Sequence, residues 1–192
     1  MHGGTKGETP WFELMCFLFE PGVYKRTIRN AIKISNKRGV PIEAGQADCK
    51  RLQLDVTRSW LSSGIVKRIL LNLDKCGVLK GRTITELSIL HSLPGCLEQD
   101  EHTDWSDSEI KRSLRHDGIK PMVCIAALKG TSWLLISDGD RVRRRLSLEP
   151  GNALVFEGDL IHAGGSQGAT SSTRLYIRFG RRGNNIYLVV DH

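Results

Sequence analysis

Read for its alternation of apolar and polar positions, the chain opens with the run Trp11-Phe12-Glu13-Leu14-Met15-Cys16-Phe17-Leu18-Phe19, closed by Glu20-Pro21-Gly22; this predicts a buried strand and a turn. Tyr24 to Lys37 then carries Ile28, Ala31 and Ile32 on one side and basic residues on the other, which predicts a helix stopped by Gly39. Pro41 to Lys50 reads as a loop. Arg51 to Val56 alternates as a strand does, and Ser59 is placed to cap a second helix with Leu61, Ile65, Ile69 and Leu73 at four-residue spacing, ending at Gly77. Both helices read as supports packed on a sheet.

From Arg82 onward short strands are predicted at Ile84 to Leu90, Met122 to Leu128, Ser132 to Ile136, Val142 to Leu148, Ala153 to Phe156, Leu160 to Ala163, Arg174 to Phe179 and Ile186 to Val190. Gly, Asp and Pro separate them. This density of strands predicts an all-β core, a double-stranded β-helix or jelly roll, with supporting N-terminal helices. The 192 residues are expected to form a single domain, with 1–80 the strand and helices packing on the sheet and 81–192 the barrel. The polar stretch Asp107 to Asp117 reads as a surface loop, either a lid or an inert insertion.

Composition adds limits. At 40% hydrophobic and 26% charged residues the chain is an ordinary globular sequence. Its five cysteines (16, 49, 76, 96 and 124) are scattered without a Cys-x-x-Cys pair, so no disulfide framework or zinc knuckle is expected and a reducing compartment is the simpler inference. No signal-peptide core or membrane span is apparent, which leads to the expectation of a soluble intracellular protein, cytoplasmic or nuclear, with no membrane partner.

The chemistry concentrates at Gln99-Asp100-Glu101-His102-Thr103-Asp104-Trp105. On a strand, His102 and Asp104 would project to the same side and could grip one metal. His162, in Gly158-Asp159-Leu160-Ile161-His162-Ala163-Gly164-Gly165, is the candidate third ligand. Two imidazoles and one carboxylate on one face of a metal leave the opposite positions open, the arrangement of non-haem Fe(II) oxygenases. Twelve residues past His162 lies Arg174, in Arg174-Leu175-Tyr176-Ile177-Arg178-Phe179. Alternation puts Arg174, Tyr176 and Arg178 on one face of that strand; such a row either meets solvent or lines the barrel, where it needs an anion.

The order His102-Thr103-Asp104, His162, Arg174 resembles the Fe(II)/2-oxoglutarate-dependent dioxygenases, in particular the branch of the prolyl 4-hydroxylases; Leu93-Pro94-Gly95 and Gly151 to Phe156 resemble the turn and strands around the family's motifs. The likeness runs from about Thr83 to Gly180. It implies the jelly roll that the dioxygenases share with the cupins, Fe(II) held by His102, Asp104 and His162, 2-oxoglutarate anchored through its far carboxylate by Arg174, O2 as oxidant, and hydroxylation of a substrate or a demethylation that begins as one. A carboxylate at 104 separates the chain from the family's halogenases. Two departures stand out: Ser92 occupies the place of an aromatic that touches 2-oxoglutarate, leaving Tyr176 to complete the pocket, and the branch's anchor is usually Lys where this chain has Arg174. Arg178 could serve as anchor or substrate contact, His91 could stand behind the metal ligands, and Trp105 either walls the substrate entrance or packs.

A net charge of +7 and a pI near 9.3 raise the question of a polyanionic partner. The densest cluster, Arg141-Val142-Arg143-Arg144-Arg145, puts three arginines on one strand face, either solvated or in contact with nucleic acid, and no aromatics interleave with them in sequence. The substrate is expected to be a protein or peptide side chain, the alternatives being a nucleic acid, a small molecule, or a cupin-like metal site without 2-oxoglutarate. Oligomeric state is not legible.

Overall fold

The computed structural model describes residues 11–16, 18–42, 50–56, 58–61, 63–137 and 142–181. Along them run β1 (Phe12–Met15), α1 (Lys25–Arg38), β2 (Val40–Pro41), β3 (Arg51–Asp55), α2 (Arg58–Leu61), α3 (Gly64–Lys75), β4 (Arg82–Ser92), α4 (Asp107–Asp117), β5 (Met122–Lys129), β6 (Ser132–Ser137), β7 (Arg143–Leu148), β8 (Ala153–Glu157), β9 (Ile161–Gly164) and β10 (Ser172–Arg181). Two antiparallel sheets result, one ordered β1-β8-β5-β10-β4-β3-β2 and one ordered β7-β6-β9. They form the jelly roll predicted from the strand density.

The larger sheet is buried on both faces, which explains why its central strands read as continuous apolar runs. Along β5, Met122, Cys124, Ala126 and Leu128 join α1 and α3 in one core; Val123, Ile125 and Ala127 point the other way, into a second core shared with Leu134 and Ile136 of β6 and Leu148 of β7. The same alternation sends Leu175, Ile177 and Phe179 of β10 outward to the helices and Tyr176 inward between the sheets. Helix α3 inserts Ile65, Val66, Ile69, Leu70 and Leu73 against the sheet, all buried.

Several elements differ from the sequence reading. β1 stops at Met15, and Leu18 beyond it donates its backbone N–H to Gly151 O (2.7 Å), just ahead of β8. Gly151 has φ +98°, and a Cβ there would lie 2.7 Å from the Phe19 carbonyl oxygen, so only glycine admits that crossing. The second helix is divided. α2 is one short turn, and the cap of α3 is Ser63, whose Oγ accepts from Val66 N–H at 3.4 Å, rather than Ser59. Asp107 to Asp117 is helix α4, not a loop: Ser106 and Glu109 form a reciprocal capping box that satisfies the first-turn donors, and Gly118 closes the other end in the left-handed region. The predicted strand at Ile186 to Val190 and Arg141 lie outside the described residues, as does most of the predicted loop from Pro41 to Lys50. The four described cysteines, 16, 76, 96 and 124, are free, and burial pushes the Cys124 thiol up to about 12. No helix among the described residues is long and apolar enough to cross a membrane.

Candidate metal and cosubstrate site

Five of the sequence candidates, His102, Asp104, His162, Arg174 and Tyr176, converge at one cavity between the sheets. His162 sits on β9 and is bridged to His102 by two backbone hydrogen bonds, His102 N to His162 O (3.0 Å) and His162 N to His102 O (2.9 Å). His102 belongs to no strand, so the same-face argument for His102 and Asp104 does not describe how they meet. The segment that follows is fixed by others: Trp105 N–H donates to Gly158 O (3.2 Å), and Arg178 Nη2 donates to Asp104 O (2.6 Å). The ligand atoms of His102, Asp104 and His162 lie within 4.8 Å of one another.

The protonation pattern supports a cation there. His162 Nδ1 lies 3.0 Å from Leu160 O and His102 Nδ1 2.9 Å from Asp100 O; a carbonyl can only accept, so each Nδ1 carries a proton and each Nε2 is the ring nitrogen left for another partner. Burial lowers the pKa of His162, more than the nearby Asp104 raises it, and so favours the neutral ring. Its Nε2 then faces Asp104 Oδ2 at 3.4 Å, acceptor against acceptor, and Oδ2 is buried without a hydrogen bond. Two buried lone pairs at that distance call for a metal ion between them. The other carboxylate oxygen, Oδ1, accepts from Tyr176 Oη at 2.6 Å. Burial, then Asp104, raises the Tyr176 pKa and keeps the phenol a donor. The residues present therefore fit a divalent ion held by two nitrogens and one oxygen.

Arg174 lines the same cavity, of about 120 Å³, with His102, Asp104, His162, Tyr176 and Gln53. It is 1% exposed, its Nε is buried without a hydrogen bond, and it makes no ion pair with a described residue. Burial first, then Arg51, pulls its pKa down to about 9. A guanidinium at that depth, open to a cavity that also reaches the three ligands, is a site for a carboxylate. Ser92 shares the cavity-facing side of β4 with Leu90 but is not part of the lining; its Oγ accepts from Arg51 Nη1 at 3.2 Å. His91 lies on the face of β4 that turns to the helices, with Nδ1 2.9 Å from Thr173 Oγ1, and does not reach the ligands.

Beyond Asp104 a larger cavity of about 540 Å³ is walled by Trp105, Arg178 and Glu86 and by one face of α4 carrying Glu109, Arg112 and His116. The Trp105 ring is clamped between Gly158, where a Cβ would come within 2.4 Å of it, and the Arg178 guanidinium, 4.1 Å above its centre. Arg178 is further held by Glu86 (3.1 Å). Trp105 therefore both packs and forms a cavity wall.

The three arginines of β7 lie exposed. Arg143 pairs with Glu98 and, at 3.0 Å, with Glu101, both in the segment leading to His102. Arg145 lies 4.3 Å over Trp133, an aromatic that β6 supplies from the neighbouring strand. Only a cross-strand view reveals that aromatic.

No protein-family model matches the sequence, and no curated protein matches it. Solved structures do. A prolyl-4-hydroxylase from Pseudomonas putida superimposes with a TM-score of 0.64 at 14% identity, covering 90% of this chain and 93% of that one. The viral collagen prolyl hydroxylase of Paramecium Bursaria Chlorella virus-1, solved as its 2-oxoglutarate complex, gives 0.64 at 13% identity over 90% and 97% of the two chains. The epimerase SnoN from nogalamycin biosynthesis, in complex with Fe3+, α-ketoglutarate and nogalamycin RO, gives 0.67 at 10% identity over 94% and 86%. The chain thus has the fold shared by prolyl hydroxylases and other 2-oxoglutarate/Fe(II) oxygenases.

Proposed function

We propose that the protein is an Fe(II)- and 2-oxoglutarate-dependent oxygenase that hydroxylates, or demethylates by way of hydroxylation, a protein or peptide side chain. One observation carries the reaction class: a neutral His162 and an unpartnered Asp104 oxygen face each other at one part of a cavity whose wall also holds a buried Arg174 without an acid. A divalent metal and a dicarboxylate would satisfy both needs at once. The solved neighbours include complexes with 2-oxoglutarate and with Fe3+, which supports the same pair of ligands.

In this reading His102 Nε2, His162 Nε2 and one oxygen of Asp104 hold Fe(II), and Arg174 receives the distal carboxylate of 2-oxoglutarate by a forked pair of N–H bonds. Bound iron supplies the O2 chemistry that converts 2-oxoglutarate to succinate and CO2 and places one oxygen atom in a substrate C–H bond. The chain's own part is placement. Tyr176 and Arg178 hold Asp104 from both its side chain and its backbone, and the packed wall of Ile125, Leu134 and Leu90 limits water around the cosubstrate.

The cavity beside Asp104 supports a peptide substrate, since it is broad, open and lined by both signs of charge with Trp105 as an apolar wall. The nucleic-acid alternative draws less support, because Arg143 is engaged by Glu98 and Glu101 and Arg145 by Trp133. The test is succinate release with Fe(II), 2-oxoglutarate and O2 against peptides, single-stranded nucleic acids and small metabolites, with mass spectrometry for a gain of one oxygen or loss of a methyl group. Release stimulated by peptide supports the proposal; no 2-oxoglutarate turnover with any partner, together with no binding of 2-oxoglutarate, would overturn it.

A further inference from the structure

The positive charge of the chain is concentrated on one helix. α1 carries Lys25, Arg26, Arg29, Lys33, Lys37 and Arg38 and no Asp or Glu; all six are exposed, and none makes an ion pair with a described residue. Six cations without an acid amount to +6, against a net charge of +7 for the whole chain. The arrangement works against the helix itself. Lys25 and Arg26 sit in the first turn, at the positive end of the helix dipole, and Lys25, Arg29, Lys33 and Lys37 follow at four-residue steps as like-charge neighbours. Helix α4 shows the opposite order, with Asp107 and Glu109 in its first turn and Arg115 and His116 in its last.

Four-residue steps set those four side chains in a row that winds gently along the helix, about 6 Å apart and about 18 Å from end to end. At the start of the row the fold adds a cation from elsewhere: Lys129, the exposed last residue of β5, joins Lys25 and Arg29 around a cavity of about 360 Å³. The apolar side of α1 is already engaged. Ile28 and Ala31 are buried in the core shared with Met122 and Cys124 of β5, on the face of the large sheet opposite the one that meets the metal ligands. Of the large apolar residues of α1 only Ile34 is exposed, and the helix carries no aromatic.

We propose that the outward side of α1, together with Lys129, is a docking surface for double-stranded nucleic acid, held through its phosphates without reading of sequence, with one phosphate seated between Lys25, Arg29 and Lys129. A duplex is a linear polyanion, and an evenly stepped row of cations matches it more closely than it matches the scattered carboxylates of an acidic protein. A bilayer surface asks for a free apolar face to enter, and that of α1 lies in the core. A single strand asks for aromatics on which to stack its bases, and α1 has none. Because α1 and the metal ligands lie on opposite faces of the large sheet, the duplex is a tether and not the substrate, and the metal cavity stays open while it is bound.

Fluorescence anisotropy with a labelled duplex DNA of arbitrary sequence, read across a salt series, tests the surface. For the wild-type protein log K should fall against log salt with a slope of about −4 to −6, at about 0.9 for each phosphate neutralised. Lys25→Gln, Arg29→Gln and Lys33→Gln combined should flatten the slope by about 2 to 3 and weaken binding at low salt on the order of 100-fold. Melting should be unchanged, since all three side chains are exposed and glutamine suits a helix. Arg143→Gln, Arg144→Gln and Arg145→Gln combined take the same charge from β7 and should change affinity by no more than about threefold. Equal losses from the two triple variants, an unaltered slope in the α1 variant, or a wild-type slope shallower than about −2 would each overturn the proposal. So would tighter binding to single-stranded DNA, to vesicles of phosphatidylserine and phosphatidylcholine, or to polyglutamate. Duplex that displaced 2-oxoglutarate from the Mn(II)-loaded protein would overturn the tether, because it would then occupy the metal cavity.

Discussion

Tyr176 holds Asp104 by a hydrogen bond of 2.6 Å from its phenol to Oδ1, leaving Oδ2 as the oxygen turned toward His162. A ligating carboxylate whose second oxygen is fixed cannot rotate away when the metal leaves. Tyr176→Phe removes the donor and keeps the ring, so metal affinity should fall by about 10- to 100-fold, the usual effect of losing a group that orients a ligand, with little change in fold. Mn(II) titration checks this; unaltered affinity would mean that the bond does not orient Asp104.

Alanine at His102, Asp104 or His162 should abolish Mn(II) and Fe(II) binding while the protein stays folded, because two extensive hydrophobic cores stand without the metal. Asp104→Asn is the more informative change. It removes the charge from a buried oxygen that lacks a partner, and the metal-free protein should melt at the same or a slightly higher temperature while binding is lost. Thermal melting and metal analysis of the same samples separate the two effects.

Arg174→Gln should weaken 2-oxoglutarate by about 1.5 to 3 kcal/mol, the range for hydrogen bonds to charged groups. The metal-free variant should be no less stable than wild type, since a compressed, unpaired cation has been taken out of the interior. Anaerobic titration of the Mn(II) form and a denaturant melt of the apoprotein test the two halves.

His91 should make stability depend on pH. Burial lowers its pKa, with the backbone at Ser172 opposing and Lys129 assisting, so the unfolded chain takes up its proton before the folded one does. The stability this neutral ring contributes is complete above the unfolded value near 6.5 and is lost as pH falls from there through the lower folded value, at no more than about 1.4 kcal/mol per pH unit. Urea melts between about pH 4 and 8 should show a slope that His91→Gln flattens in that window. An identical profile in the variant would remove His91 as its source.

The sequence carries the barrel strands and the metal and carboxylate candidates because each leaves a local trace: alternation along β10, an apolar run in the doubly buried β5, a His-x-Asp pair, an arginine at the expected distance after His162. What it obscured was cross-strand. Arg51 looks like any polar end of a strand until β4 sets it opposite Ser92, and the arginines of β7, exposed as they are, give no hint in sequence of the Glu98, Glu101 and Trp133 that meet them. Helix α4 is a different kind of miss. Its capping box, Ser106-x-x-Glu109, is written in the sequence, but the polarity of Asp107 to Asp117 obscured it.

The paired backbone bonds between His102 and His162 bear on which ion the protein will be found to contain. Because the two imidazoles are already spaced by the bridge, an incoming ion does little to shape its own coordination, and the site has few means of rejecting a competitor of similar size. Occupancy should then follow the general order of divalent affinity and whatever the surrounding medium offers. Protein purified over nickel resin, or from zinc-replete culture, is expected to carry those ions in place of iron until it is stripped and reloaded without air, and low turnover in an unstripped preparation would report on its history rather than its chemistry.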